Sequence, residues 1–267
     1  MTATTWVLES DIFPDSHSPL RAAVRDAGHR LVDWDDAWWS DGIPQNIGDA
    51  NTLFHGSLGN AARIQAELSW SPGSYCDTAA FCCSAWYDAA REWLLHSDWR
   101  FLPANTFVDT VNDVATALGC TGRIFVRPDS PLKPFSGRVL DLADVSLAKL
   151  DHGFYFDDES LPVVACPICD VGREWRFVVF QSSVIAGSAY DAATRSAIAD
   201  QPASDAWNFA QTVASAIPAP ADAYILDVCE SNGDLRLLEL NPFGGADLYA
   251  CDAASIVRAL SGTVTGS

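Results

Sequence analysis

Three polar residues interrupt two apolar stretches in the last part of the chain. Glu239 and Asn241 stand two positions apart in LRLLELNPFGG, and Asp227 lies within the preceding stretch YILDVCE. Because alternate residues of a β-strand share one face, the side chains of Glu239 and Asn241 are expected to point the same way. Carboxylate and amide oxygens are the ligands that Mg²⁺ prefers. The pattern predicts a magnesium site formed by these three residues.

The turn between the two stretches decides whether Asp227 joins that site. Asn-Gly between apolar strands is a strong β-hairpin signal, and it falls here at residues 232–233. A two-residue turn would pair Asp227 with Leu238 and turn it away from Glu239. A three-residue loop, or a bulge with Gly233 in the left-handed conformation, would restore a common face. The metal site therefore predicts a bulged turn. The alternative is an edge strand whose polar residues face solvent.

A basic run stands out in a strongly acidic chain. The protein has 16 lysines and arginines against 35 acidic residues, a net charge of −19. In RIFVRPDSPLKPFSGR, Arg127 ends an apolar strand, Lys133 lies in the loop that follows, and Gly137 gives that loop backbone freedom. Basic side chains and backbone N–H groups together form anion-binding cradles. The run predicts an anion site that lacks the spacing of a Walker loop, and the alternative is a solvated hairpin.

Arg176 is the third candidate for chemistry. In GREWRFVVF it shares a strand face with Glu174, opposite to Trp175 and Phe177. Exposed ion pairs contribute only ~0–1 kcal/mol to stability, so a purely local pair is a weak reason for this arginine. We interpret it as an anion ligand. A cationic loop, a strand arginine and a carboxylate–amide cluster are together what a magnesium-bound nucleotide phosphate requires.

Composition limits the partners and the compartment. The chain of 267 residues is 49% hydrophobic, enough for one large domain or two lobes. Its negative charge argues against nucleic acid, whose phosphates attract lysine and arginine. There is no apolar run of ~20 residues and no basic leader before an apolar segment, so we expect a cytoplasmic protein without a membrane partner. The eight cysteines, including the pair Cys166 and Cys169, are expected to be reduced thiols.

The order of predicted elements changes near residue 103. Strand and helix signals alternate before that point, which predicts a small parallel sheet. The first helix is expected to begin with Ser18 as its cap and Pro19 at its first position, and to end at Gly28. After residue 103 the predicted strands follow one another more closely. One helix lies among them and a short helix closes the chain.

Three segments in this order resemble the ATP-grasp superfamily: FVRPDSPLKPFSG, VVACPI before EWRFVV, and YILDVCESNGDLRLLELNPFGG. The resemblance implies a mixed α/β (α+β) fold with an N-terminal parallel-sheet lobe of the preATP-grasp kind over residues 1–103. An ATP-grasp domain would follow over residues 104–267. It would comprise a small lid subdomain, about 104–165, and a C-terminal antiparallel-sheet subdomain, about 166–267.

The resemblance also implies a role for each motif. Arg127, Lys133 and Gly137 would contact ATP phosphates, and Arg176 would bind the γ-phosphate or an acyl phosphate, with Arg176 and Lys133 as the catalytic pair. The adenine hinge would be formed by Cys166, Pro167 and Ile168, with Asp170 near the ribose. Asp227, Glu239 and Asn241 would hold one or two Mg²⁺ ions, for which Mn²⁺ is a possible substitute.

The implied reaction is ATP-dependent ligation of a carboxylate to an amine, such as an amino acid or peptide, through an acyl phosphate. The residues expected near the substrates are His55, Ser57, Gly244, Gly245, Asp247 and Tyr249. Two alternatives stay open at this point: a kinase of the same fold, and an inactive module that binds a nucleotide or a partner. A homodimer is also possible.

Overall fold

The computed structural model describes residues 3–150, 158–198 and 202–262. In these ranges the strands are β1 (Thr5–Leu8), β2 (Arg30–Asp33), β3 (Ala50–His55), β4 (Ser71–Gly73), β5 (Arg100–Pro103), β6 (Arg123–Pro128), β7 (Arg138–Asp141), β8 (Pro162–Cys166), β9 (Glu174–Phe180), β10 (Ser183–Asp191), β11 (Ser196–Ala197), β12 (Ala223–Ser231) and β13 (Asp234–Pro242). The α-helices are α1 (Pro14–Asp26), α2 (Trp38–Asp41), α3 (Leu58–Glu67), α4 (Cys83–Ala90), α5 (Ala104–Asp109), α6 (Val111–Ala117), α7 (Leu147–Leu150), α8 (Ser204–Ala216) and α9 (Ala253–Gly262). The mixed α/β class predicted from the sequence is confirmed.

The first sheet is parallel, with strand order β2-β1-β3-β4. Strand β1 is buried along its whole length, as expected for a central strand of a covered parallel sheet. The chain leaves β1 toward β2 on one side, and β3 lies on the other. Ligands of open α/β sheets bind at such a reversal, beyond the carboxyl ends of the strands. Here those ends are Leu8 and His55.

Helix α1 begins at Pro14, before the predicted cap Ser18, and Pro19 lies inside it. A proline inside a helix removes one backbone hydrogen bond, which is why the sequence favoured a later start. The first turn is held from another part of the chain: the Ser16 hydroxyl donates to the Asp247 carboxylate at 2.7 Å. No local sequence pattern reports such a long-range contact.

The second sheet is antiparallel, with strand order β5-β8-β6-β7. One of its faces packs on α5, α6 and α7 around Phe107, Ile124 and Val126. Strand β5 belongs to this sheet although the predicted boundary at residue 103 assigns it to the N-terminal lobe. The sheet predicted for the lid therefore draws on residues before the boundary, and the boundary itself stays a prediction.

The third sheet is antiparallel, with strand order β11-β10-β9-β12-β13. The β12–β13 hairpin turns at Asn232 and Gly233, whose φ angles of 52° and 86° are those of a two-residue turn. The predicted position of the bulge was therefore wrong. The register slips instead within β13 at Leu238, so that Asp227 pairs with Glu239.

Helices cover both faces of the third sheet. On one face α4 and α8 pack in a core that also includes β8 of the second sheet, so that α4 joins the two antiparallel sheets. On the other face α1, α9 and the parallel sheet share a second core with β9, β10 and β12. These buried apolar faces fix the three sheets relative to one another. None of the helices in the described ranges is both long and apolar enough to cross a membrane.

Candidate active site

The bulge at Leu238 brings the three predicted metal ligands together. Asp227 and Glu239 are cross-strand partners, and Asn241 follows two residues later on β13. The Nδ2 atom of Asn241 lies 3.1 Å from a carboxylate oxygen of Asp227 and 3.1 Å from one of Glu239. Asp227 and Asn241 are buried. The predicted common face is confirmed, whereas metal binding stays a prediction.

Two cations from the second sheet reach Glu239. Arg127 Nη2 pairs with one carboxylate oxygen of Glu239, and Lys133 Nζ donates to the other at 3.0 Å. Burial alone would raise the pKa of Glu239, but Arg127 and Lys133 outweigh it and hold this pKa well below its usual range. Glu239 is therefore a carboxylate at neutral pH and links the two antiparallel sheets.

Arg176 is fixed by three hydrogen bonds. Its Nε and Nη2 atoms donate to the two carboxylate oxygens of Asp227 at 2.8 and 2.7 Å, and Nη1 donates to the backbone oxygen of Asp247 at 2.8 Å. Burial opposes the charge of Arg176, but Asp227 raises its pKa above the ordinary value. A guanidinium has five N–H donors. These three bonds leave two N–H groups for a further anion.

Two tyrosines bound the Arg176 guanidinium. Tyr190 and Tyr249 stack with ring centroids 4.8 Å apart and planes 11° from parallel, and the Arg176 guanidinium carbon lies 5.4 and 4.9 Å from these centroids. The Tyr190 hydroxyl donates to Glu174 at 2.6 Å, and burial raises the pKa of Tyr190, so the hydroxyl keeps its proton. The sequence analysis missed Tyr190. Its signal is the β9–β10 register, which places it opposite Glu174.

A cavity of about 560 Å³ opens beside this cluster. Lys133, Arg176 and Asn241 face it from the two antiparallel sheets. Of the residues predicted to lie near substrates, Gly245, Asp247 and Tyr249 line it. The parallel-sheet lobe contributes Ile12, Phe13, Asp15 and Leu58, and the β10–β11 turn contributes Ala192 and Arg195.

The loop after β6 is anchored to helix α4. The Asp129 carboxylate accepts hydrogen bonds from the backbone N–H and the hydroxyl of Ser84 at 2.7 and 2.8 Å. Lys133 adopts a left-handed φ of 50°. At Gly137, a Cβ atom would meet the Phe125 ring at 2.8 Å. The freedom predicted for Gly137 therefore serves a close approach of this loop to its own strand.

The predicted hinge follows β8. Cys166 is buried at the end of that strand, and Ile168 and Asp170 are exposed beyond it. The next residue inward is one that the sequence did not reveal: His96 stacks on Phe125 with ring centroids 5.2 Å apart. Its Nδ1 atom lies 3.6 Å from the Cys169 sulfur.

The edge of β13 positions His96. The Leu237 N–H donates to the Trp93 oxygen at 2.7 Å, and the Leu95 N–H donates to the Leu237 oxygen at 2.9 Å, so the segment before His96 extends the third sheet. The predicted hinge and this segment therefore lie next to each other, between the two antiparallel sheets.

A family model described as an ATP-grasp domain, the third family of its clade, matches residues 62–260. The chain belongs to this ATP-grasp family. The match spans the second and third sheets, with the Asp227–Glu239–Asn241 cluster and the three cations around it. The family resemblance predicted from the sequence is confirmed.

Solved structures share the fold over nearly the whole chain. The crystal structure of D-cycloserine synthetase DcsG aligns with a TM-score of 0.66 at 16% identity, covering 97% of this chain and 99% of that one. D-alanine–D-alanine ligase from Bacillus anthracis complexed with ATP gives 0.61 at 14%, covering 97% and 96%. The ATP-grasp ligase PsnB complexed with minimal precursor gives 0.59 at 14%, covering 97% and 99%. No curated protein sequence gives a significant match.

Two ATP-grasp residues predicted to contact substrate lie behind the cavity. His55 is completely buried, with one ring nitrogen 2.9 Å from His17 and the other 3.1 Å from the Ala246 oxygen. Ser57 caps helix α3, its side chain accepting from the Asn60 N–H. Both predictions are corrected for the same reason, since these polar atoms already bond within the protein.

The glycines after Asn241 let the chain approach itself. The Gly244 N–H donates to the Ser74 oxygen at 3.0 Å, and a Cβ atom there would lie 2.3 Å from that oxygen. A Cβ atom on Gly245 would lie 2.6 Å from Leu58. Both glycines therefore join the ATP-grasp sheet to the parallel-sheet lobe. The predicted access of substrate to the Gly244 N–H is wrong in this arrangement, and only Gly245 of the two lines the cavity.

The cluster in part fits a hard divalent cation of the kind that ATP-grasp proteins bind. Glu239 and Asn241 offer oxygen donors beside the cavity, and Lys133, with 40% of its side chain exposed, is a partner that can withdraw from Glu239. Asp227 fits less well because Arg176 occupies both of its oxygens. We therefore regard Glu239 and Asn241 as the principal candidate ligands.

His96 makes stability depend on pH. Burial, with a contribution from Arg127, lowers the pKa of His96 from 6.5 to about 4. The unfolded chain therefore binds a proton between these values that the folded chain excludes, so stability is full above pH 6.5 and falls as pH drops toward 4. The expected loss is about 3 kcal/mol. Urea unfolding across this range should show a weaker pH dependence in His96→Phe, and an unchanged dependence would contradict the assignment.

Proposed function

We propose that this protein is an ATP- and magnesium-dependent ligase that joins a carboxylate to an amine and releases ADP and phosphate. One observation carries the proposal. Arg127, Lys133 and Arg176 converge on the buried Asp227–Glu239–Asn241 cluster at one end of a cavity. Clusters of fixed cations beside a carboxylate–amide pair stabilise the charge that develops when a phosphoryl group is transferred.

The nucleotide would lie between the two antiparallel sheets. In this proposal Arg127 and Lys133 bind its phosphates, while the backbone of Cys166, Pro167 and Ile168 faces adenine and Asp170 faces the ribose. Residues about 104–165 form the lid, and residues 1–103 and 166–267 complete the two sides. The exposed hinge and the Glu239 ion pairs between the sheets support this placement.

Magnesium bound at Glu239 and Asn241 would neutralise phosphate charge during transfer. The protein's own residues then have separate tasks. Arg127 and Lys133 orient the phosphates from the lid, and the two unused N–H groups of Arg176 donate to oxygens of the transferred group. Asp227 fixes the guanidinium so that no reorientation is needed when charge develops.

The reaction proceeds in two displacements. A substrate carboxylate oxygen attacks the γ-phosphorus of ATP, the bond from phosphorus to the bridging oxygen breaks, and ADP leaves. The amine nitrogen then attacks the carbonyl carbon of the acyl phosphate, phosphate leaves with the carboxylate oxygen, and the nitrogen loses a proton. A closed lid excludes water, which would otherwise hydrolyse the acyl phosphate. A cytoplasmic setting, where ATP is present, fits the eight free cysteines.

The substrates are proposed to be amino acids or a peptide. The similar structures include a D-alanine–D-alanine ligase and a ligase bound to a precursor peptide. An isotope experiment tests the reaction: a substrate pool labelled with ¹⁸O in its carboxyl groups should yield labelled inorganic phosphate with ADP. A stable phosphorylated product without free phosphate would instead identify a kinase. ADP release without label in phosphate would exclude the acyl phosphate.

Removing the lid lysine should affect ATP binding more than folding. In Lys133→Ala we expect ATP affinity to fall roughly 10- to 100-fold, because a charge-assisted hydrogen bond is lost. Stability should change by less than ~1 kcal/mol, because the side chain is 40% exposed. Titration with ATP measures the first and urea unfolding the second. Lys149→Ala, which removes an exposed lysine of the same sheet region, serves as the control, and equal ATP affinity in both variants would remove Lys133 from the site.

A further inference from the structure

The far end of the cavity has a charge pattern that the transfer chemistry does not use. Arg195 lines this end from the turn between β10 and β11. Among the ion pairs formed by the described residues, none includes Arg195, although the chain has 35 acidic residues. A cation at a cavity wall with no acidic partner among those residues is available for an anionic group of a ligand.

The turn that carries Arg195 has a defined conformation. The Asp191 carboxylate accepts hydrogen bonds from the N–H groups of Ala193 and Thr194 at 2.8 and 3.1 Å. Arg195 itself adopts a left-handed φ of 51°, which is unfavourable for a residue with a side chain. Unfavourable backbone angles persist where the surrounding structure holds them, and they are concentrated at functional sites.

Carboxylates lie on the opposite wall. Asp247 lines the cavity, and the bonds from Ser16 and Tyr249 both go to its Oδ1 atom, so Oδ2 accepts none from the described residues. Asp15 adds a second carboxylate from helix α1. The cavity therefore presents negative charge on one wall and an arginine on the other.

The transfer site is tied to this pattern. The backbone oxygen of Asp247 accepts from Arg176, and the stacked rings of Tyr190 and Tyr249 lie beside Arg176 and line the same cavity. A molecule that spans the two walls is thereby held against the reacting end. Its own charges must be complementary, positive toward Asp247 and Asp15 and negative toward Arg195.

We infer that the amine substrate is a free amino acid, whose ammonium group pairs with Asp247 and Asp15 and whose carboxylate pairs with Arg195. This inference rests on the proposed ligase function. It makes Arg195 a specificity-determining residue that distinguishes free amino acids from amines without a carboxylate, such as amino-acid amides. The pairing is one of recognition only, before any bond forms.

The test compares two pools, free amino acids and the corresponding amino-acid amides, with Mg·ATP and the full chain. We expect ADP release with the free acids. Arg195→Ala should raise their KM roughly 10- to 100-fold while the KM for ATP stays unchanged. Arg195→Lys should recover part of the loss because it keeps the charge. Arg236→Ala, which removes an exposed arginine of the same sheet outside the cavity, is the matched control.

Binding supplies a second readout that does not need turnover. With Mg·AMPPNP present, the free acids should raise the thermal unfolding temperature of the wild type but not of Arg195→Ala, and the amides should raise neither. Equal ADP release or equal shifts with acids and amides would overturn the inference and leave the ligase function standing. A rise in the KM for ATP in Arg195→Ala would assign Arg195 to the nucleotide instead. ADP release with neither pool and no shift with either would overturn both proposals.

Discussion

Replacing Arg176 with methionine is expected to abolish turnover and to destabilise the protein by about 3–5 kcal/mol. The loss of stability arises because Asp227, with 2% of its side chain exposed, would keep a buried charge without its partner. The loss of activity, roughly 10²–10³-fold or more, arises because two positioned N–H donors disappear from the transfer site. Urea unfolding and ADP release measure the two effects separately.

A double variant separates stability from chemistry. Arg176→Met combined with Asp227→Asn removes both charges of the pair, so most of the lost stability should return. Turnover should not return, since the N–H donors are still missing. Full stability in the single variant would show that the pair is not buried in solution. Activity in the double variant would remove Arg176 from the reaction.

Glu239→Gln is expected to lower ATP turnover roughly 10²–10³-fold as well. The structure adds a cost that the sequence did not reveal, because Arg127 would lose its carboxylate partner between the two antiparallel sheets. Since the pKa of Glu239 is lowered by folding, its contribution to stability is full at neutral pH and is lost as pH falls below about 4.3. The difference in stability between wild type and variant should shrink over the same range.

Glu230→Gln is the matched control for Glu239→Gln. Glu230 lies on the neighbouring strand β12, near the turn and away from the cavity. This control should keep wild-type turnover and show no comparable change in stability with pH. Normal turnover in Glu239→Gln would contradict the proposed role of the carboxylate.

The sequence predicted the shared face of Asp227 and Glu239 because the site demanded it, but it placed the bulge at the turn. The turn is regular, and the extra residue is Leu238. Apolar residues surround that position in the sequence, so nothing local distinguishes Leu238 from Leu237 or Leu240. The bulge is fixed by pairing with β12 on one side and by the segment around Leu95 on the other.

Ordered motifs were readable where a chemical requirement determined the residue type. Arg127, Lys133, Arg176 and Asn241 converge in the structure as their types and positions suggested. His55 shows the opposite case. A histidine at the end of a parallel strand has the sequence context of a ligand, yet packing against His17 and Phe243 makes it part of the core.

Residues that line a site through tertiary contact left no pattern in the chain. Tyr190 and Arg195 face the cavity because β10 folds back on β9, and His96 reaches Phe125 because its segment extends β13. Each depends on the pairing of distant segments. The same holds for the start of helix α1, where Ser16 bonds to Asp247 across most of the chain.

Thermal unfolding with and without nucleotide tests the central claim, a magnesium-dependent ATP site that includes Glu239. Ligand at ~100 times its dissociation constant adds about 2.7 kcal/mol to stability, which is a readily visible shift. Mg²⁺ with ATP should stabilise the wild type more than either alone, and Glu239→Gln should lose that synergy. No shift of the wild type at millimolar Mg·ATP, or the same shift in Glu239→Gln, would contradict the claim.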